Sequence, residues 1–163
     1  MIISGYQGIG KSTLAKGNDK IIDLESSCFW RTKGTERFRQ PDWYIYYCQM
    51  AKHLSDQGYI VFVASHKEVR EFLSQNYKDD FYMIFPSIDI KDEWIERLRD
   101  RYKQTKKEKD YKAYMNALNR YEDNINELIQ DAKMKCYKDY SIIMSPRYEL
   151  DQIVQRFIDA EDN

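Results

Sequence analysis

The chain is poor in the residues that build metal and redox centres. Among 163 residues there are three cysteines and two histidines. Cys28, Cys48 and Cys136 are far apart, no C-x-x-C pair occurs, and His53 and His66 complete no thiol cluster. The usual signatures of a structural zinc site or a disulfide scaffold are therefore missing, and the thiols fit a reducing compartment. Charge imbalance is missing as well: 26 Lys and Arg stand against 27 Asp and Glu, a net charge of −1. No global field draws the chain to nucleic acid or to an anionic membrane. No apolar run approaches the roughly 18–20 residues of a membrane span, and the opening MIISG has no basic flank of the kind that precedes a secretory signal. The expected location is the cytoplasm, the host cytoplasm if the gene is carried by a phage. The abundance of Lys, Ile, Asp, Asn and Tyr suits an AT-rich genome such as that of a low-GC bacterium or its phage.

What is present is an alternation of short apolar runs and amphipathic stretches. Strands are expected over Met1–Ser4, Lys20–Leu24, Tyr59–Ser65, Phe81–Phe85 and Tyr140–Met144. Helices are expected from Lys11 to a stop at Gly17, from Pro41 to Gly58, and over Lys67–Gln75, Asp92–Tyr102 and Tyr111–Ala132, with a closing helix carrying Leu150, Ile153, Val154, Phe157 and Ile158. In the longest helix Tyr114, Leu118, Tyr121, Ile125 and Leu128 recur at 4-3-4-3 spacing and define its apolar face. Thr105–Asp110 (TKKEKD) reads as a solvated break. Five strands separated by helices predict a single α/β domain over residues 1–163, with a five-stranded parallel sheet between helical layers. Two connections, 25–58 and 86–139, exceed a simple loop-plus-helix and are the expected places for function, the second through its helical region 89–136.

The loop after the first strand carries the most specific motif. Gly5-Tyr-Gln-Gly-Ile-Gly10-Lys11-Ser12-Thr13 fits G-x-x-x-x-G-K-[ST] at every fixed position, with a strand before and a helix after. Backbone N–H groups of Gly8, Ile9 and Gly10 would curl around phosphates, Lys11 would reach the outer ones, Ser12 would bind Mg²⁺, and Thr13 would contact a phosphate further back. ATP and Mg²⁺ are the expected ligands. Asp23, closing the second strand at the ligand edge of such sheets, is a candidate for metal binding, for holding a substrate or for general base work. The alternative for Asp23 is a turn residue within D-L-E-S-S.

Arg31, Lys33, Arg37 and Arg39 crowd together with Phe29, Trp30, Phe38 and Trp43, a combination that suits a phosphate and a base. Arg37 and Arg39 are the favoured phosphate contacts. After the third strand Ser65-His66-Lys67-Glu68-Val69-Arg70 offers Arg70 or His66 to a substrate and no Asp or Glu at the strand end itself. In DEWIERLRDRY, Arg97 and Arg101 share a helix face. Between Arg97 and Lys112 eight Lys and Arg face three acids, so two basic helices are expected to close over the loop and to stabilise transferring charge.

With these elements in this order, the chain resembles the nucleoside monophosphate kinases, in particular the adenylate-kinase-like group and small phage-type deoxynucleoside monophosphate kinases. The likeness rests on GYQGIGKST and on IFPSIDIKDEWIERLRDR, and covers most of the chain in order and length. It implies a phosphate-loop NTPase fold with a helical lid, ATP contacts from Arg97 and Arg101, a further phosphate contact from Arg120, and an acceptor-binding role for 25–58. It also implies a donor adenine near Ser145-Pro146-Arg147. SHKEVR departs from the acidic residue, glycine and arginine that the group often carries after its third strand. The expected activity is transfer of the ATP γ-phosphoryl group to a deoxynucleoside monophosphate, by a monomer or homodimer acting on small molecules. Two alternatives stay open: a hydroxyl acceptor on a nucleoside, a modified base or a polynucleotide 5′ end, and a nucleotide-binding module without turnover.

Overall fold

The computed structural model describes the backbone of residues 1–33 and 36–163 and the side chains of residues 1–30 and 39–163. In chain order the elements are β1 (Ile2–Gly5), α1 (Lys11–Lys16), β2 (Ile21–Asp23), β3 (Arg31–Lys33), β4 (Glu36–Phe38), α2 (Trp43–Asp56), β5 (Ile60–Val63), α3 (Lys67–Asn76), β6 (Phe81–Pro86), α4 (Lys91–Thr105), α5 (Glu108–Lys133), β7 (Asp139–Ile143) and α6 (Leu150–Glu161). Short 3-10 turns cover Ser26–Phe29, Lys78–Asp80 and Ile88–Ile90.

β1, β2, β5, β6 and β7 form one all-parallel sheet in the order β2-β5-β1-β6-β7. β1 and β6 are buried at every residue, so side chains on both faces of the central strands are covered, as continuous apolar runs require. Ile2, Ile3, Phe62, Val63, Met83 and Phe85 are fully buried there. The chain leaves β1 toward the β2 edge and leaves β6 toward the β7 edge. These neighbouring strands therefore define the topological switch point, outside whose carboxyl ends ligands of open α/β sheets bind.

The segment 25–40, expected to be irregular, holds a 3-10 turn and the antiparallel pair β3–β4. Pro41 lies in a turn, and α2 begins two residues later at Trp43. The break between the two hairpin helices is much tighter than TKKEKD suggested. α4 ends with Lys106 in the left-handed region (φ 56°), and α5 already begins at Glu108. Asp110 is not solvated but 2% exposed. Its carboxylate accepts the Thr105 hydroxyl at 2.5 Å and pairs with Arg101 at 2.8 Å, which compensates the burial of its charge.

The apolar face of α5 also differs from its expected spacing. Ala117, Tyr121, Ile125 and Leu128 are buried, while Leu118 is 43% exposed. The cause is a break at Arg120, whose φ of −139° and ψ of 16° interrupt the helix. Ahead of it the buried face moves by one residue. Neither proline nor glycine stands at the break; past it, the Tyr121 hydroxyl donates to the Ser87 carbonyl at 2.7 Å and anchors the helix to the end of β6.

Candidate functional site

The loop between β1 and α1 is shaped by its glycines and held from outside. Gly8 and Gly10 have φ of 89° and 103°, where a side chain is strained. A Cβ on Gly8 would also come within 2.8 Å of Leu98 Cδ2, so α4 sits directly against the loop. Three successive loop carbonyls are each claimed by a side chain from another element. The Trp94 indole N–H donates to Gln7 O at 3.0 Å, Arg97 Nε to Gly8 O at 2.8 Å and the Tyr148 hydroxyl to Ile9 O at 2.7 Å. The Arg97 guanidinium lies 5.2 Å from the Trp94 ring centroid and 5.3 Å from that of Tyr148. With these carbonyls satisfied on the α4 side, the loop does not need its ligand to settle them, and preorganisation of this kind lowers the cost of binding.

A cavity of about 820 Å³ opens beside the loop. Gly8, Ile9, Gly10, Lys11, Ser12, Thr13, Asp23, Arg97 and Arg101 all line it, so nine of the residues expected to serve donor binding and catalysis come together. Lys11 Nζ donates to Gly5 O at 3.3 Å, and burial holds its ammonium below the ordinary lysine value, against the pull of Asp23 and Glu25. Burial raises the Asp23 carboxyl, with Lys11 opposing. The position of Asp23 is fixed from behind by Tyr47. Its hydroxyl donates to Leu24 O at 2.7 Å and accepts from Ala64 N–H at 2.8 Å, bridging the exits of β2 and β5.

A second cavity of about 860 Å³ adjoins the first, and the two share Lys11, Glu25 and Lys109 in their walls. Its lining holds seven Lys and Arg against three Glu, whereas the first cavity holds four against five. Arg39, Arg70 and Arg120 line this second space; Arg37 lies outside the described side chains. Arg39 is exposed and spans the Trp30 and Trp43 rings at 4.9 and 5.5 Å. Arg120 is exposed at the break in α5. Arg70 differs from both. It is 7% exposed and donates to Ser65 O at 3.0 Å, to Glu127 at 2.8 Å and to Asp131. Its donors tie α3 to α5, and contact with a substrate would require an exchange of partners. His66 is held below the ordinary imidazole value by burial and by Arg39, and packs edge-on against Trp43.

The basic hairpin packs against the loop, and four of its eight cations pair with carboxylates. Arg99 meets Glu96, Arg101 meets Asp110, Lys112 meets Glu108, and Lys109 reaches Glu25 at 3.6 Å across the junction of the cavities. Ser145, Pro146 and Arg147 are exposed and line neither of these cavities; Tyr148, next along, is the residue that reaches the loop. Trp94 and Tyr47 are both fully buried in the core. Their polar atoms, which hold the site, leave no periodic signal.

No protein-family model matches the chain, and no curated protein matches it. Among solved structures it is similar to an uncharacterized protein from Eubacterium ventriosum ATCC 27560, at 13% identity over 99% of this chain and 96% of that one, with a TM-score of 0.43. A likeness that loose carries no argument here.

Proposed function

We propose that the protein is an ATP-dependent phosphotransferase whose acceptor is itself phosphorylated, a nucleoside or deoxynucleoside monophosphate. The observation that carries this reading is the pair of cavities joined over Lys11, the second of them markedly richer in cations than the first. A donor triphosphate would lie in the first, with its outer phosphates at Lys11. An anionic acceptor would lie in the second, its charge offset by Arg39, Lys112 and Arg120. In transfer, an acceptor phosphate oxygen bonds to the γ-phosphorus as the bond to the β–γ bridging oxygen breaks and ADP leaves. The protein's part is to align the two and to neutralise charge.

Among the described residues no group of three or more His, Cys, Asp or Glu is arranged to hold a metal. That fits Mg²⁺, which takes one or two protein oxygens and fills its shell from phosphates and water. Ser12 and Asp23, both on the first cavity, would hold it, and the ion would offset phosphate charge. Asp23 lines the first cavity and not the second, which favours a donor-side role over that of a base toward an acceptor hydroxyl.

The test is ADP release from Mg-ATP with a panel of nucleoside monophosphates, nucleosides and DNA 5′ ends. Stimulation by a monophosphate is expected. Release stimulated by nucleosides or DNA ends alone would move the acceptor to a hydroxyl, and stimulation by none would end the phosphotransferase reading.

A further inference from the structure

The wall of the second cavity contains a feature that charge neutralisation leaves unused: three carboxamides joined in a row. Gln7 comes from the loop, Asn116 and Asn124 from the two sides of the Arg120 break in α5, and all three line the cavity. The orientation of the row is set at one end by a backbone group. Gln7 Nε2 donates to the Ala113 carbonyl at 3.1 Å, which can only accept, so the Gln7 nitrogen faces α5. The same nitrogen donates to Asn116 Oδ1 at 3.2 Å, and Asn124 Nδ2 donates to that oxygen at 2.8 Å. The Tyr6 hydroxyl lies beneath the row, accepting from Asn124 Nδ2 at 3.3 Å with Gln7 Nε2 3.4 Å away.

This bonding uses the nitrogens of Gln7 and Asn124 and the oxygen of Asn116. It leaves the complementary atoms, Gln7 Oε1, Asn116 Nδ2 and Asn124 Oδ1, with no hydrogen-bond partner among the described residues. The unused set is one donor between two acceptors. Side-chain amides read base edges by pairing such a donor with an adjacent acceptor.

We propose that the Gln7–Asn116–Asn124 row reads the Watson–Crick edge of the acceptor base and selects bases that carry, on that edge, an exocyclic amine beside a ring-nitrogen acceptor. Adenine and cytosine present that pair, the ring nitrogen accepting from Asn116 Nδ2 and the amine donating to a neighbouring amide oxygen. Guanine and thymine or uracil place an N–H where the ring-nitrogen acceptor should be, which opposes the Asn116 donor. The proposal rests on the second cavity being the acceptor site, and it adds the residues that choose among acceptors.

Asn116→Asp isolates the idea, because it keeps Oδ1 for the two internal bonds and replaces the free donor by an acceptor. Its added charge acts on every mononucleotide alike, so the ratio between bases reports on recognition. Calorimetric binding of AMP, CMP, GMP, UMP and their deoxy forms is measured for the parent and the variant, alongside ADP release with each. The parent is expected to bind adenine and cytosine nucleotides about tenfold or more above guanine, thymine and uracil nucleotides, within the range of a bidentate base contact, and Asn116→Asp to remove or reverse that ranking. Asn124→Asp, which loses its bond to Asn116 Oδ1, should weaken the ranking with retained thermal stability. An unchanged ranking in a folded Asn116→Asp protein, or a parent that prefers guanine, thymine or uracil or shows no preference, overturns the inference, even where transfer to monophosphates upholds the proposed activity. If no monophosphate is phosphorylated, the proposed activity falls, and the binding arm still decides the amide row by the same two criteria.

Discussion

The two cavities are alike in size and opposite in construction. Around the first, each strut ends on a backbone carbonyl: Trp94, Arg97 and Tyr148 on the loop, Tyr47 on Leu24. Around the second, the walls are long cationic side chains, amides and ion pairs, with Arg70 locked between Glu127 and Asp131 as the rigid part. A main-chain contact fixes geometry whatever side chain stands there. A wall of side chains fixes chemistry and can be changed one residue at a time. The first cavity is accordingly built to hold one shape, and the second to discriminate.

That contrast can be broken at several points. The largest effect on stability is expected at the second cavity's base. Arg70→Met leaves Glu127 and Asp131 facing a neutral side chain and, with both carboxylates partly solvated, should cost about 1–3 kcal/mol, read from the urea midpoint. The largest effect on activity belongs to the first cavity. Lys11→Met should lower ADP release by about 10²- to 10³-fold with stability nearly unchanged, since the Gly5 carbonyl is the hydrogen-bond partner it loses. Tyr148→Phe removes the bond to Ile9 O and should cost about 1 kcal/mol of stability while raising KM for ATP more than it lowers kcat. The smallest effect is in pH dependence. Burial places the Asp23 carboxyl above its ordinary value of 3.8, so it takes up a proton while exposed aspartates are still charged. If the ionised form is the working one, kcat/KM for ATP should fall with decreasing pH through that raised value, and Asp23→Asn should flatten this acid limb. An acid limb retained in Asp23→Asn would assign it to another group.

The sheet was legible because its strands are apolar runs bounded by breakers, and all five appear within two residues of their expected ends. The loop was legible because its glycines, lysine and serine must be contiguous. What escaped reading depends on contacts between distant segments. Leu118 fits the helical period but lies on the solvent side of a break that no helix-breaking residue announces. Asp110 looks solvated in a charged run until Thr105 and Arg101 fold over it. Arg70 was singled out for a substrate, yet its carboxylate partners lie more than fifty residues downstream and leave no local mark. Tyr47 and Tyr148 serve the site through their hydroxyls, which no spacing in the sequence marks.

The interruption at Arg120 also divides α5 as a cooperative unit. Ahead of it, the helix packs against α4 and is tied to it by Asp110; beyond it, Tyr121 binds the helix to Ser87 at the end of β6, and Glu127 and Asp131 bind it to Arg70 on α3. One continuous stretch of sequence thus belongs to two different opening units. In native-state hydrogen exchange the amides of 108–119 should report the opening of α4 with them, and those of 121–133 should exchange with the sheet, with the step in protection falling at a single residue.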